Sequence, residues 1–126
     1  MHPLIDRLTA DLGWPLLEDM EGVRAFLDAP GVHCLFVPGD PARNLESADV
    51  AVIVPELRQC FQNAFDCAVV ADAVSGPVRD MAESHKTPNL VFARDGRVLG
   101  SIPKVRDWDD YMGRIRHLLA LRPEVA

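Results

Sequence analysis

The chain has 126 residues and a formal net charge of −6; 48% of its residues are hydrophobic and 25% charged, which suits one folded domain with a substantial core. No apolar run approaches the roughly 18–20 residues needed to span a bilayer, and Met1 to Leu8 has no basic start followed by an apolar block, so a cytoplasmic protein without membrane insertion is expected. Residues 1–61 carry ten acids and four bases, residues 62–126 nine of each; an acidic half disfavours nucleic acid and anionic lipid, both polyanions, and favours a cationic partner.

In chain order, Leu4, Ile5, Leu8 and Leu12 fall at helical spacing and Gly13 ends the pattern. Trp14 to Leu17 starts a short edge strand, where Pro15 is tolerated. Glu21 to Leu27 reads as a helix with Val23, Phe26 and Leu27 on one face, closed by Pro30-Gly31. Val32 to Val37 is an unbroken apolar run, as expected of a buried strand, and Pro38-Gly39-Asp40-Pro41 breaks it. Val50, Ile53, Val54, Leu57 and Phe61 then recur on one face of a helix, capped by Ser47 or Asp49 and kinked at Pro55. Cys67 to Ala71 is a short strand, and Gly76 to His85 has helical character. After Thr87-Pro88 come two strands, Asn89 to Ala93 and Arg97 to Ile102, joined by the Asp95-Gly96 hairpin turn. Trp108 to Leu121 is the last helix, with Asp107 as N-cap and an apolar stripe of Trp108, Tyr111, Met112, Ile115, Leu118 and Leu119. Strands separated by helices imply parallel pairing, and the terminal hairpin adds antiparallel strands. The expectation is an α/β fold with a mixed central sheet and helices on both faces.

Cys34, Cys60 and Cys67 have no short pairing, and each sits in an apolar pattern that reads as a small buried hydrophobe. The four histidines are scattered, and no Cys/His spacing matches a zinc site. No metal and no cofactor is expected.

The segment Pro88 to Val98 resembles the cis-proline, strand, turn and strand of the thioredoxin fold, and Val52-Ile53-Val54-Pro55 resembles the stretch around the kinking proline of its long helix. The resemblance implies a cis Thr87–Pro88 peptide. Counting back from Pro55 puts Ser47-Ala48-Asp49-Val50 where that family carries its redox tetrapeptide. Disulfide exchange needs two thiols near a helix start, one stabilised as a thiolate, and a serine hydroxyl forms no comparable couple. Leu35 stands where the family has a buried acid, and Gly39 to Asn44 lengthen the loop before the helix.

A narrower resemblance accommodates these losses. The N-terminal helix (residues 1–13), Gly13-Trp14-Pro15, Asp40-Pro41-Ala42-Arg43, Ser47-Ala48-Asp49, Thr87-Pro88 and the basic final helix together look like the HupG/HyaE family of hydrogenase expression/formation proteins, which are thioredoxin-like without the cysteine pair. That resemblance implies a redox-inactive, non-enzymatic chaperone in maturation of an uptake [NiFe] hydrogenase. Its implied partner is the small-subunit precursor with its twin-arginine signal, with other maturation proteins as further partners. Such a signal has a cationic region followed by an apolar stretch. The matching partner-binding residues are Asp40, Glu46, Asp49 and Glu56 for charge and Thr87 and Pro88 for the peptide groove, with Pro38, Pro41 and Leu45 as apolar contacts. Two other functions compete: a single-cysteine thiol enzyme using Cys60 or Cys67, and a structural adaptor for another maturation factor.

Overall fold

Alternation along the central strands divides the core into two layers. A computed structural model describes residues 2–121. Its strands are β1 (Leu16–Leu17), β2 (Val32–Val37), β3 (Phe65–Val70), β4 (Asn89–Arg94) and β5 (Arg97–Pro103); its helices are α1 (Pro3–Ala10), α2 (Met20–Asp28), α3 (Glu46–Cys60), α4 (Ser75–Ala82) and α5 (Trp108–Ala120). The sheet order is β1-β3-β2-β4-β5, with β1, β3 and β2 parallel and β4 and β5 antiparallel. Successive strand residues point to opposite faces. Cys34, Phe36, Phe65, Cys67, Val69, Leu90 and Phe92 therefore meet α1, α3 and α5 on one side. Leu35, Val37, Ala68, Val70, Val91 and Ala93 meet Val23 and Leu27 of α2 and Val78 of α4 on the other. A strand covered on both faces shows no alternation of apolar and polar residues, which is why β2 reads as a continuous apolar run.

The turns follow their chemistry. Asp95 and Gly96 have φ of 53 and 76, the two left-handed residues that a tight hairpin between twisted strands requires. Asp19 caps α2 by accepting a hydrogen bond from the Gly22 amide at 2.7 Å. The Thr87–Pro88 peptide is cis, as the resemblance implies. The helix α1 is no appendage, since Ile5 and Leu8 are buried in the same layer as α3 and α5.

Several expectations need correction. Neither Ser47 nor Asp49 caps α3: the helix already starts at Glu46, two residues before a Ser47 cap would allow, and its N-cap Leu45 makes no side-chain cap bond. Asp107 is the N-cap of α5 as expected, though its side chain makes no cap bond, whereas Trp108 is 43% exposed and stands off the apolar stripe. The indole is at the first position of the helix, where the stripe has no neighbouring turn to pack against. Cys60 is exposed rather than buried, because it is the last residue of α3, past the turn that Leu57 buries. Cys34 and Cys67 are buried neighbours across the parallel β2–β3 pair. Burial, together with the Cys67 side chain beside it, pushes the Cys34 thiol well above its ordinary range.

These placements set an expected result for thiol chemistry. A thiol-specific reagent should titrate Cys60 in the folded protein and reach Cys34 and Cys67 only on unfolding. Spectrophotometric counting of reacted thiols before and after denaturant checks it. A count of two or three before unfolding would contradict the buried pair.

His33 is 1% exposed. One ring nitrogen pairs with Asp66 Oδ1 and the other donates to the Ala29 carbonyl at 2.7 Å. The Phe26 ring lies 4.9 Å away between centroids. This histidine closes the end of α2 onto the sheet and accounts for its own polar atoms, so its role is structural.

Candidate functional site

The C-terminal ends of β2 and β3, the start of β4 and the end of β5 meet at one end of the sheet, as the Val37–Asn89 and Asn89–Pro103 pairs require. The loop 38–45 and the first turn of α3 cover that end. In open α/β sheets, ligand sites gather beyond the carboxyl ends of parallel strands. The residues singled out in the sequence fall here, with Glu56 as the exception.

Two contacts tie the loop to the cis-proline, and a third ties it to α3. Asn44 Nδ2 donates to Thr87 Oγ1 at 2.5 Å. Gly39 has φ +73, and a Cβ there would stand 2.6 Å from Thr87 Oγ1 and 2.7 Å from Thr87 Cβ, so the loop backbone lies directly against Thr87. Ser47 is fully buried and donates its hydroxyl to the Pro38 carbonyl at 2.6 Å. The position expected of a redox nucleophile is thus sealed and committed to a structural bond. Val50, the other end of the tetrapeptide, is 1% exposed. The β2–β4 ladder ends at the Val37–Asn89 pair, leaving Thr87 just outside the sheet. Asn89 Nδ2 donates to the Lys86 carbonyl at 3.1 Å and to Ser84 Oγ at 2.9 Å, which holds the approach to the cis peptide.

Two of the cavities that border this loop reach Asp72. One, of about 200 Å³, is walled by Pro38, Pro41 and Val70 with Asp40 and Asp72 at its margin. The other, of about 360 Å³, is polar and lined by Asp40, Asp72, Arg43, Asn44, Arg79 and Thr87. Asp40 is exposed; its Oδ1 accepts from the Ala42 amide at 3.0 Å, and Arg43 stands 3.7 Å from its other oxygen. Glu46 pairs with Lys104 at 3.0 Å. That ammonium holds the Glu46 carboxyl below its ordinary range against partial desolvation, aided by the Val105 backbone N–H and the charge of Arg106. Asp49 is exposed on the first turns of α3, and Leu45 is 87% exposed beside Glu46.

The structure therefore places Asp40 in one hollow with Thr87, links Glu46 through Lys104 to Pro88, and leaves Asp49 exposed about one turn along α3 from Glu46. Glu56 is ten residues along α3 from Glu46, about 15 Å at the helical rise, and lines a separate hollow with Arg7, Trp14 and Arg58. Pro38 and Pro88 are buried and serve as walls and supports; Pro41 and Leu45 supply the apolar surface. Asp72 and Lys104 belong to this end of the molecule and were not anticipated. Asp72 lies two residues past the end of β3, a position the strand-end rule identifies once the parallel pairing is known. Nothing in the local sequence marks Lys104. Among the described residues, no three His, Cys, Asp or Glu side chains gather as a metal site, and no helix is long and apolar enough to cross a membrane.

Residues 4–111 match the family model described as hydrogenase-1 expression protein HyaE. The chain is 57% identical over 121 residues to the hydrogenase expression/formation protein HupG of Rhodobacter capsulatus, covering 96% of this chain and 88% of that protein. The crystal structure of a hydrogenase expression/formation protein HupG from Rhodopseudomonas palustris CGA009 superposes with a TM-score of 0.58 at 29% identity, covering 84% of this chain and 95% of that one. A thioredoxin variant from Halobacterium salinarum NRC-1 superposes with a TM-score of 0.65 at 16% identity, covering 86% and 93%; that likeness speaks for the thioredoxin-like fold alone.

Proposed function

Because this chain belongs to the HupG/HyaE family of hydrogenase expression/formation proteins, we propose that it acts without catalysis, as a cytoplasmic binding protein for the small-subunit precursor of an uptake [NiFe] hydrogenase. The segment it holds is the twin-arginine signal. The observation that carries this reading is the join of carboxylates and exposed apolar side chains at the cis-proline end. Asp40 and Asp72 line a hollow with the half-buried Pro41, Glu46 and Asp49 follow the exposed Leu45 on the first turns of α3, and Ser47 fills the place of the redox thiol. A cationic segment followed by an apolar one matches that order of chemistry. Thr87, just outside the ladder, offers backbone to an extended chain, in the manner of strand addition. An enzyme based on Cys60 has the weaker support: that thiol ends a helix, whereas reactive cysteines gain from a helix start.

The test is calorimetry with the precursor and with a form lacking its signal. Reversing Asp40→Lys, Glu46→Lys and Asp49→Lys together should weaken binding of the whole precursor. Exposed ion pairs contribute about 0.2–1 kcal/mol each, so the combined loss from three is about 0.6–3 kcal/mol at low salt and shrinks as salt rises. Equal binding by the wild type and the triple variant at low salt would remove this surface. Equal binding with and without the signal would move the site to the folded part of the subunit.

A further inference from the structure

Lys104 is an unusual occupant of its position. Its φ is +68, in the left-handed region where glycine is favoured and a side chain carries a steric cost. The backbone there is fixed from two sides. Its N–H donates to the Pro88 carbonyl at 2.7 Å, and the hydroxyl of Tyr111, whose ring is fully buried, donates to its carbonyl at 3.2 Å. From that anchored point the ammonium reaches Glu46 Oε2 at 3.0 Å, with the two side chains 38% and 35% exposed. The pair joins the β5–α5 connection to the start of α3, next to the cis-proline. Asp40 is held differently: its cation, Arg43, is three residues away on the same loop, 3.7 Å distant and 88% exposed. Among the described residues, neither Asp49 nor Asp72 makes an ion pair. The acidic end is thus open at Asp49 and Asp72, loosely paired within its own loop at Asp40, and closed at Glu46 by a cation from a distant part of the chain.

We propose that Lys104 is an internal competitor for the partner's cation: it occupies Glu46 in the free protein and gives it up when a guanidinium binds there. This inference rests on the reading of a twin-arginine partner given above. A guanidinium can take both oxygens of a carboxylate in a bidentate pair, which an ammonium cannot, so the exchange has a driving force. Segments that lack arginine meet a carboxylate already neutralised, and Arg106 beside it adds to the positive field they must enter. Lys104 in this role sets the threshold of binding and leaves the architecture of the groove alone.

The experiment measures affinity for two synthetic peptides, one carrying the twin-arginine signal and one with both arginines replaced by glutamine. The proteins compared are the wild type, Lys104→Gly, Lys104→Met and Lys104→Arg, each in the background of Glu46 and of Glu46→Gln. Glycine suits the local backbone, and methionine keeps the length of the side chain, so one of the two neutral variants retains the fold even if the other is unstable. Removing the ammonium should tighten binding of the twin-arginine peptide about two- to fivefold at low salt, the range of an exposed ion pair. The gain should fade at high salt. The glutamine peptide should be unaffected; Lys104→Arg, which can itself take both oxygens of Glu46, should bind the twin-arginine peptide more weakly than wild type; and the gain should largely vanish with Glu46→Gln. Unchanged or weaker binding by folded Lys104→Gly and Lys104→Met overturns the competitor, as does a gain undiminished by Glu46→Gln, while wild-type binding of the peptide leaves the signal-binding reading standing. Failure of every form to bind the twin-arginine peptide removes both.

Discussion

Gly39→Ala is expected to destabilise the protein by about 2–5 kcal/mol, the sum of a left-handed backbone cost and an overpacking cost. Gly39 has φ +73, and the added methyl would fall 2.6 Å from Thr87 Oγ1, 2.7 Å from Thr87 Cβ and 3.2 Å from Asn44 Nδ2. Thr87 is β-branched and precedes the cis-proline, so it cannot swing aside as the tip of a long side chain would. Either the 38–45 loop lifts or the cis-proline loop moves, and in both cases the Asn44–Thr87 bond is strained. Gly13 supplies the control: its φ is +71, and a Cβ there meets nothing within 4 Å. Gly13→Ala should therefore cost only the backbone part, about 1–2 kcal/mol. Denaturant unfolding of both variants checks the pair. Equal losses would mean that the close approach of Gly39 to Thr87 contributes nothing.

The second large effect is at Tyr111. It is fully buried among α1, α3 and the sheet, and it heads the largest of the fully buried side chains. Tyr111→Ala should cost about 3–5 kcal/mol, as for other large aromatic truncations in cores. Tyr111→Phe keeps the ring and removes the bond from its hydroxyl to the Lys104 carbonyl, for about 1 kcal/mol. Burial raises the Tyr111 hydroxyl above its ordinary range, partly offset by the Arg106 backbone and charge, so it remains a donor throughout the neutral range. Hydrogen exchange should separate the two roles. Tyr111→Phe is expected to speed exchange around residues 103–107 while leaving the central strands protected. Uniform acceleration through β2 and β4 would mean that the hydroxyl supports global stability and has no local part in the β5–α5 connection.

Much of the fold is legible in the sequence because its central elements carry strong local signals. Val32–Val37 is apolar throughout, Asp95-Gly96 is a turn whose geometry only a few residue pairs accept, and Thr87-Pro88 precedes a strand. The misreadings sit where periodicity has little to say. A helix stripe identifies Val50 and Leu57 but cannot decide whether Trp108, at the first turn, or Cys60, at the last, lies over a neighbour. The Cys34–Cys67 contact depends on the register of β2 against β3, which no local pattern in either strand specifies. The site divides in the same way. Asp40, Glu46 and Asp49 are close in sequence and stay close in space. Asp72 and Lys104 arrive from β3 and β5 through long-range pairing, and Glu56 leaves the group because ten residues of helix carry it away. Ser47 is the sharpest case: its residue type rules out the thiol chemistry, but only the structure reveals that its hydroxyl has become part of the scaffold.

The sealed Ser47 bears on how this lineage can change. Its hydroxyl is buried and holds the Pro38 carbonyl at 2.6 Å, and the loop that it anchors is the one that lies on Thr87. Attack by a thiolate on a disulfide requires an open path to the sulfur. Restoring cysteines at positions 47 and 50 would give a pair of sulfurs with no such path, and would release the carbonyl that now fixes the loop. Thiol exchange at this helix start would thus require remodelling of the 38–45 loop as well as a change of residue. Packing of the 38–45 loop, as much as residue type, therefore separates this scaffold from thiol chemistry.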